Sequence, residues 1–326
     1  MRKLFAAIVA VGLVASLAAC SSEPSNSSSS ADCSTKPASG DASSLVTADG
    51  AVGTKTTVTF PTPLVAKDLQ VTDLTEGDGE TLAPGDYADF QATIWNAETG
   101  AYVTGTSFDA TSPSRMAVGE DEAQLGPLLE CAVVGSRIAA VSTLKQLFGD
   151  VDASGDGLTA DSNVVVVVDV TNGILGKANG ADQVAQAGFP SVVTAPDGTP
   201  GVTIPNADAP TEQKVAVLKK GKGTTVEKGD NVVVQYEGLV WGTPGSVFEN
   251  TWEATPANYV AAEYAADGSG GYFPGFDDAV IGQTVGSQVI LVVPPGDSYG
   301  DDAAAPDSVP TGSTRIYVVD ILDVTE

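Results

Sequence analysis

The chain contains one pattern of short strands and turns twice, and this internal repeat constrains the fold more than any other feature of the sequence. Each copy passes from a Gly-Asp turn to a Phe-acidic pair, then to a Val-Gly-Ser turn before an apolar strand, and then to an aromatic-Gly pair. In the first copy these landmarks are Gly85-Asp86, Phe108-Asp109, Val134-Gly135-Ser136 and Phe148-Gly149. In the second copy they are Gly229-Asp230, Phe248-Glu249, Val285-Gly286-Ser287 and Tyr299-Gly300. The shared order predicts two homologous domains.

Most segments are rich in β-branched residues and are separated by Gly, Pro and Asp, which predicts antiparallel sheets. The second copy also has one short helical signature, in which Phe276, Ala279 and Val280 follow the i, i+3, i+4 spacing. Gly275 and Gly282 bound this segment on its two sides. We therefore predict an α+β fold with a short helix packed on one face of each sheet.

The N-terminus has the features of a secretory signal. Arg2 and Lys3 precede an apolar run, residues 4–19, which is shorter than the about 20 residues of a membrane-spanning helix. Leu17-Ala18-Ala19-Cys20 is similar to the bacterial lipobox, in which the cysteine is acylated, and the alternative is a plain signal peptide cut near Ala19. We predict a signal peptide at 1–19 and a lipidated flexible tether at 20–44. The protein is then exported and lipid-anchored at the extracellular face of the cell membrane.

Charge and composition exclude several classes of function. The net charge is -27, with 15 Lys+Arg against 42 Asp+Glu, and such a surface repels the phosphates of nucleic acids. The sequence contains no histidine, which excludes Ser-His-Asp and Cys-His nucleophile systems and histidine-based metal sites. Any catalysis must therefore proceed without imidazole chemistry.

The cysteines suggest one disulfide. With Cys20 acylated, Cys33 and Cys131 remain as a pair in an oxidising compartment. We predict that they form a disulfide, and the alternative is two unpaired thiols.

An acidic loop at Asp150–Asp161 matches the spacing of a calcium-binding loop, with glycine at its sixth position. No helical pattern flanks it, and its last residue is Asp rather than the longer, bidentate Glu. We interpret the loop as an acidic solvated turn, with calcium binding as the alternative, and we predict neither a metal nor a cofactor.

Aromatic residues recur through the second copy, although they make up only 6% of the chain. An apolar strand at 289–293 runs into Pro294-Pro295 and reaches Tyr299-Gly300. The order of these motifs resembles the FKBP-type peptidyl-prolyl isomerase domain, well over residues 213–326 and poorly over 68–176. The resemblance implies two FKBP-like domains, each a bent antiparallel β-sheet wrapped on one short α-helix. They would be a degenerate domain at 45–176 and an isomerase domain at 212–326, with a linker at 177–211.

The pocket residues of the family can be carried over onto the second copy. The resemblance implies catalytic positions at Tyr236, Phe248, Glu249, Phe276, Tyr299 and Tyr317, and substrate contacts at Tyr259, Tyr272, Phe273 and Val309. Tyr299 would donate its hydroxyl, and Phe273 its backbone N–H, to substrate carbonyls. Glu249 stands where the family has aspartate, and the basic residue that usually follows is missing near Trp252. We therefore expect the acid to lack its ion-pair partner.

The first copy departs much further from this pattern. Ala92 stands in place of the strand tyrosine, Leu125 in place of the aromatic floor and Phe148 in place of the hydroxyl donor. A pocket without these groups should bind proline poorly, so we interpret the first copy as degenerate, with a structural or peptide-binding role.

The resemblance implies a peptidyl-prolyl cis-trans isomerase that acts on X-Pro bonds of unfolded or exported polypeptides and is inhibited by macrolides. Rotation about this bond meets a barrier of about 18–20 kcal/mol because amide resonance is lost, and it requires no nucleophile. The alternative is a non-catalytic chaperone or peptide-binding lipoprotein on the same fold.

Overall fold

The computed structural model describes residues 37–109, 112–119, 125–243, 247–263, 272, 275–295 and 309–325. Two large antiparallel sheets dominate these residues, and each has its own hydrophobic core. The strands of the first part are β1 (Thr47–Asp49), β2 (Thr57–Thr59), β3 (Gln70–Thr75), β4 (Tyr87–Asn96), β5 (Tyr102–Gly105), β6 (Ser114–Ala117), β7 (Arg137–Thr143) and β8 (Asn163–Ile174). The later strands are β9 (Ala181–Asp182), β10 (Ser191–Thr194), β11 (Pro200–Thr203), β12 (Lys214–Lys220), β13 (Asn231–Val240), β14 (Val247–Asn250), β15 (Ala257–Val260), β16 (Gln288–Val293) and β17 (Arg315–Thr325).

The two sheets share one topology. The first sheet has the order β3-β7-β8-β4-β5, with β6 also paired to β4. The second has the order β14-β13-β17-β16-β12-β9, with β15 also paired to β13. The strands β4, β7 and β8 therefore correspond to β13, β16 and β17, and the long central pairs β4–β8 and β13–β17 are antiparallel.

Equivalent backbone contacts fix the alignment of the two copies. The Thr106 hydroxyl accepts the backbone N–H of Ala92, and the Thr251 hydroxyl accepts that of Tyr236 in the same way. Thr104 and Glu249 each stand two residues before these threonines. Thr104 lies opposite Ile94, and Glu249 lies opposite Gly238. The pairing of Phe108-Asp109 with Phe248-Glu249 is therefore wrong, because Val103-Thr104 occupies that position.

Both faces of each sheet are covered, which explains the long apolar runs in the central strands. In β8, Val164, Val166 and Val168 face the main core of the first sheet. The side chains between them, Val165 and Val167, face a second cluster built from the β1–β2 region. Because side chains alternate across a strand, a run of consecutive valines requires apolar cover on both faces.

The second sheet is also covered on both faces, and its second face is covered by residues 177–211, the segment interpreted as a linker. Within it, β9 pairs with β12, and the β10–β11 hairpin packs Val192 and Val202 on the face opposite the aromatic core. The end of the predicted tether is packed as well, since Ala42 and Ser43 are buried beside the first sheet. Each sheet is therefore preceded in the chain by a hairpin that covers its outer face.

The helices are short: α1 spans Gly126–Leu129, α2 Leu144–Phe148 and α3 Phe276–Val280. The predicted helix of the second copy is α3, whereas the expectation of a single helix is wrong for the first copy, which has α1 and α2. A capping box between Thr143 and Gln146 begins α2. The Thr-x-x-Gln pattern was the sequence signal for this helix. Among the described helices, none has the length and apolar character needed to cross a bilayer.

Cys131 is the cysteine that lies among the described residues. Cys131 is disulfide-bonded and has a positive φ of 61° at the position where the second copy has Gly282, φ 80°. Its backbone N–H bonds to Leu82, as that of Gly282 bonds to Val226. Cys20 and Cys33 lie outside the described residues, so acylation and the Cys33–Cys131 pairing stay predictions.

The acidic loop between α2 and β8 folds as a turn with internal contacts. Lys145 Nζ lies 2.9 Å from Asp150 Oδ1, and the Asp152 carboxylate accepts the Ser154 N–H at 3.0 Å. Over the described part of the chain, no three His, Cys, Asp or Glu side chains converge in a way that could hold a metal ion.

Candidate functional site

Six aromatic rings of the second copy belong to the core between the second sheet and α3. Tyr236 on β13, Phe276 on α3 and Tyr317 on β17 are each no more than 2% exposed, and they form the base of the cluster. Phe248, Tyr259 and Tyr272 are half-buried and pack around this base. We call these six residues the aromatic cluster. With Glu249, which accepts a hydrogen bond from Tyr236, the structure thus brings together seven of the ten positions predicted for the pocket.

Ring contacts join four members of the cluster, Tyr236, Tyr259, Tyr272 and Phe276, while Phe248 and Tyr317 form a separate pair within the same hydrophobic core. Tyr259 lies 4.3 Å from Tyr272 and 5.5 Å from Phe276 between ring centroids. Tyr236 lies 5.4 Å from Tyr272, and Phe248 meets Tyr317 edge-on at 5.7 Å. Offset and edge-to-face contacts of this kind stabilise aromatic pairs beyond simple burial.

Glycine at position 238 permits the contact between Phe248 and Tyr317. A Cβ atom there would lie 2.8 Å from Cζ of Phe248 and 3.1 Å from Cε1 of Tyr317. Those distances are too short for a side chain, so the two rings occupy the space above the Gly238 backbone. The first copy has Ile94 at the equivalent register.

A chain of hydrogen bonds runs through the polar ends of the cluster. The Tyr259 hydroxyl donates to the Tyr236 hydroxyl at 3.4 Å, and Tyr236 donates to Glu249 Oε1 at 2.7 Å. Burial, and then its hydrogen bonds with Tyr259 and Glu249, raise the pKa of Tyr236 above the ordinary value. Burial also raises the pKa of Tyr259 to about 12. Both phenols are therefore protonated donors at neutral pH.

The Glu249 carboxyl is subject to three opposing effects, and its expected lack of an ion-pair partner stays a prediction. Burial raises the pKa of its carboxyl, while the Tyr236 hydrogen bond and the positive charge of Arg315 lower it. Arg315 begins β17 and is only 4% exposed. A positive charge on β17 thus acts through space on the Glu249 carboxyl, and the longer glutamate side chain still reaches Tyr236. The sequence did contain a signal for this effect. Arg315, one of 15 Lys+Arg in the chain, stands directly before the closing apolar strand.

Thr251 was also missed by sequence reasoning, although it holds the backbone of the central tyrosine. Its hydroxyl accepts the Tyr236 N–H at 2.8 Å and lies 3.3 Å from the Tyr236 carbonyl oxygen, to which it donates. These bonds fix β13 where the strand carries Tyr236 into the cluster.

Three of the ten predicted positions stay untested. Phe273 and Tyr299 lie outside the described residues, so their donor roles stay predictions. Val309 is buried, at 6% exposed, directly before Pro310. Its contact with substrate also stays a prediction.

The first copy has a different set of side chains at the equivalent positions. Ala92 and Leu125 are each 6% exposed and belong to the apolar core. Met116 pairs with Ala88 as Tyr259 pairs with Val232, so it replaces the wall tyrosine. The equivalent positions therefore carry aliphatic side chains without the hydroxyl chain of the second copy.

Comparison with known proteins points to one family. The model of the FKBP-type peptidyl-prolyl cis-trans isomerase family matches residues 222–322. An FK506-binding protein of Streptomyces anulatus is 29% identical over 126 residues, which is 38% of this chain and 96% of that protein. FK506-binding protein 2 of Yarrowia lipolytica is 31% identical over 124 residues, covering 35% of this chain and 80% of that protein.

A solved structure is also similar to the chain. The three FKBP domains of wheat FKBP73 align at 17% identity with a TM-score of 0.34, covering 79% of this chain and 94% of that chain.

Proposed function

The chain belongs to the FKBP-type peptidyl-prolyl cis-trans isomerase family, and from this membership we propose that it isomerises X-Pro bonds at the aromatic cluster of the second sheet. The observation that carries the proposal is the convergence of six rings and the Tyr236–Glu249 hydrogen bond inside the segment that matches the family model. The substrates are proline-containing segments of unfolded polypeptides.

The cluster suits this reaction because the reaction needs an environment rather than a reactive group. The planar amide is stabilised by charge separation between nitrogen and oxygen, and this separation is lost when the bond is twisted. An apolar, water-poor surface stabilises the twisted form relative to the planar one, which lowers the barrier. Phe276 and Tyr317 form the buried base of the cluster, and the proline ring would contact the half-buried rings above it, Phe248, Tyr259 and Tyr272.

The hydrogen-bond chain gives the cluster a fixed shape. Glu249 holds the Tyr236 hydroxyl at 2.7 Å, and Tyr236 in turn accepts from Tyr259. Because rotation of these rings would break buried hydrogen bonds, the walls are preorganised before substrate binds. Glu249 is therefore a positioning residue in this proposal and does not accept a proton from the substrate.

Two relatives bear the name FK506-binding protein. We extend this to the present chain and propose that FK506 occupies the aromatic cluster and competes with proline-containing peptides. The protein would use no cofactor.

The wider organisation of the chain is part of the same proposal. The shared topology supports two FKBP-like domains, a degenerate one at 45–176 and an isomerase domain at 212–326, with 177–211 packed onto the second. The signal sequence at 1–19 and the lipobox at Cys20 support export and lipid anchoring. The isomerase would then act on exported polypeptides at the extracellular face of the membrane.

Exchange NMR on a short proline peptide tests the activity with the full-length chain. We expect wild-type protein to accelerate cis–trans exchange and FK506 to abolish the acceleration. Phe276→Leu places the first copy's residue in the floor, and we expect it to lower the rate at least tenfold. The matched control is Leu125→Met, a volume-conserving change at the equivalent first-copy position, which should leave the rate unchanged.

The outcomes separate the two candidate functions. Peptide binding that FK506 blocks, without acceleration of exchange, would indicate a non-catalytic peptide-binding protein instead of an isomerase. Equal loss in Phe276→Leu and Leu125→Met would place the activity outside the aromatic cluster.

A further inference from the structure

The strand β14 carries two residues of the proposed site and is held by a single neighbour among the described strands. It ends the second sheet and pairs with β13. Gly238 faces Glu249 and Leu239 faces Val247, so Phe248 is an extra residue without a partner on β13. A bulge of this kind redirects a side chain and interrupts the backbone pairing. Contacts at the two ends of β14 are therefore important for the positions of Phe248 and Glu249.

The turn after β14 connects the aromatic cluster to the outer face of the sheet. The Thr251 N–H donates to the Tyr236 carbonyl oxygen at 3.1 Å. The next residue, Trp252, is half-buried, and its backbone N–H donates to Asn250 Oδ1 at 2.8 Å. Thr251 therefore holds the central tyrosine of the cluster, while the Trp252 ring reaches the hairpin that covers the outer face.

The Trp252 ring packs on the tip of the β10–β11 hairpin at Gly198. A Cβ atom at Gly198 would lie 2.5 Å from Cζ3 and 2.7 Å from Cη2 of Trp252, which is too close for a side chain. Gly198 also has a φ of 106°, which glycine adopts without strain. On its other side, the added Cβ would lie 2.7 Å from Cβ of Lys177, whose ammonium donates to the Pro196 carbonyl oxygen. Close packing and backbone conformation therefore both require glycine at this tip.

A second tryptophan holds the other end of the segment that contains β14. Trp241 directly follows β13, and its Nε1–H donates to the Ala207 carbonyl oxygen at 3.1 Å. It also packs on the outer-face cluster together with Val192 and Val202 of the hairpin. The segment 177–211 is thus contacted on both sides of β14, by Trp241 before it and by Trp252 after it.

The first copy has neither tryptophan. The residue after Thr106 is the exposed Ser107, in place of Trp252. Ala97 directly follows β4 as Trp241 directly follows β13. Because the same sheet topology forms without these tryptophans, their presence beside the aromatic cluster indicates a role in the site rather than in the fold.

We propose that Gly198 and Trp252 are positioning residues of the proposed isomerase, and that the hairpin tip holds β14 where Phe248 and Glu249 reach the aromatic cluster. The inference rests on the proposed function and gives the segment 177–211 a part in it. The Trp252 indole N–H is buried and has no hydrogen-bond acceptor among the described residues. Its contribution is therefore the packing of its ring on Gly198, and neither residue touches the substrate.

Exchange NMR with a proline peptide on the full-length chain compares two glycine variants. Gly198→Ala forces Trp252 to move and should lower the rate at least fivefold. The matched control is Gly188→Ala in the same segment, where φ is 87° and no described atom beyond the chain neighbours lies within 4 Å of the added Cβ. The control should leave the rate unchanged. Both variants carry the backbone strain of a positive φ, so the contact with Trp252 distinguishes them.

A double-substitution cycle separates positioning from stability. Trp252→Ala should lower the rate at least fivefold, whereas Trp252→Phe keeps a ring, loses no hydrogen bond and should retain at least half of the rate. In the Trp252→Ala background, Gly198→Ala should lower the rate no further, because the ring that it displaces is absent. Its backbone strain should still lower the urea midpoint of unfolding in both backgrounds.

The backbone amide signals of Phe248 and Glu249 report the position of β14 without any measurement of activity. We expect them to shift in Gly198→Ala and to stay unchanged in Gly188→Ala. If the wild-type protein does not accelerate exchange, the proposed function is wrong, and these signals still decide whether the hairpin positions β14.

Three results would overturn the inference. The first is an equal loss of rate in Gly198→Ala and Gly188→Ala. The second is an undiminished further loss when Gly198→Ala is added to Trp252→Ala. The third is a set of β14 amide signals that stays unchanged in Gly198→Ala.

Discussion

Asp320 makes the free energy of unfolding depend on pH, and a single substitution should remove this dependence. Its carboxyl is 1% exposed on β17, where Oδ2 accepts the Ala178 N–H and Oδ1 accepts Gln288 Nε2, both at 2.7 Å. Burial outweighs these hydrogen bonds and raises the pKa of Asp320 from 3.8 to about 6. At about 1.4 kcal/mol for each pKa unit, the difference corresponds to about 3 kcal/mol.

The sign of the effect follows from linkage. The folded protein holds the Asp320 proton more tightly than the unfolded chain does. This contribution to the free energy of unfolding is fully present below pH 3.8 and is lost as the pH rises to about 6. At neutral pH the second sheet therefore carries a buried carboxylate whose two hydrogen-bond donors among the described residues, Ala178 and Gln288, are uncharged.

Asp320→Asn should stabilise the protein at pH 7.5 and have almost no effect near pH 3.5. The amide oxygen can accept from Ala178, and the Gln288 amide can rotate to accept from the new amide nitrogen. We expect a gain approaching 3 kcal/mol at the higher pH, reduced by imperfect fit of the amide. Native-state hydrogen exchange of β17 amides in wild type and variant, from pH 3.5 to 8, measures the difference directly.

The first copy supplies a matched control, in which the equivalent substitution should destabilise the protein. Asp169 occupies the equivalent place, since it lies opposite Arg137 as Asp320 lies opposite Gln288. Its carboxylate binds Arg137 Nε at 2.6 Å and Nη2 at 2.7 Å, and Arg137 is 1% exposed. Asp169→Asn leaves that guanidinium buried and unpaired, which should cost about 3–5 kcal/mol at neutral pH. The reasoning is refuted if both variants stabilise, or if the Asp320→Asn difference is the same at pH 3.5 and 7.5.

Further predictions concern the aromatic cluster. Tyr236→Phe keeps the ring but removes the donor to Glu249, so exchange NMR should show a rate about three- to tenfold lower, the scale of one hydrogen bond, with little change in peptide affinity. Gly238→Ala forces the rings of Phe248 and Tyr317 apart and should lower the free energy of unfolding, measured in urea, by about 1–3 kcal/mol. The control is Gly201→Ala, whose Cβ would meet only ordinary contacts and which should lower it by less than half as much. Arg315→Gln removes a positive charge that lowers the pKa of Glu249, so the pH midpoint of a Glu249 carboxyl ¹³C titration should rise. An unchanged midpoint would contradict this influence of Arg315 on Glu249.

Local patterns in the sequence were sufficient for the elements and for much of the site. The spacing of Phe276, Ala279 and Val280 predicted a helix, and α3 spans Phe276–Val280. The β-branched segment from Asn231 predicted the strand that carries Tyr236. Such predictions depend on the periodicity of apolar side chains within a few residues, which the sequence contains directly.

The pairing of strands was harder to predict, because a partner strand is distant in the chain and a bulge changes the register without a clear local signal. Phe108-Asp109 matched the Phe-acidic motif by residue type, yet the ladder places Val103-Thr104 opposite β4 at the equivalent point. The covering hairpins were missed for a related reason. Their few apolar side chains acquire a role only when they pack on a sheet formed elsewhere.

Electrostatic partners depended on the tertiary structure most of all. The sequence identifies Glu249 as a carboxylate, but only folding brings Arg315 close enough to act on its pKa. Likewise, Asp169 and Asp320 occupy the same position in the two copies, whereas the neighbouring strand supplies Arg137 to one and Gln288 to the other. Burial and charge act through space rather than along the chain, so the ionisation of these groups is decided by which strands become neighbours.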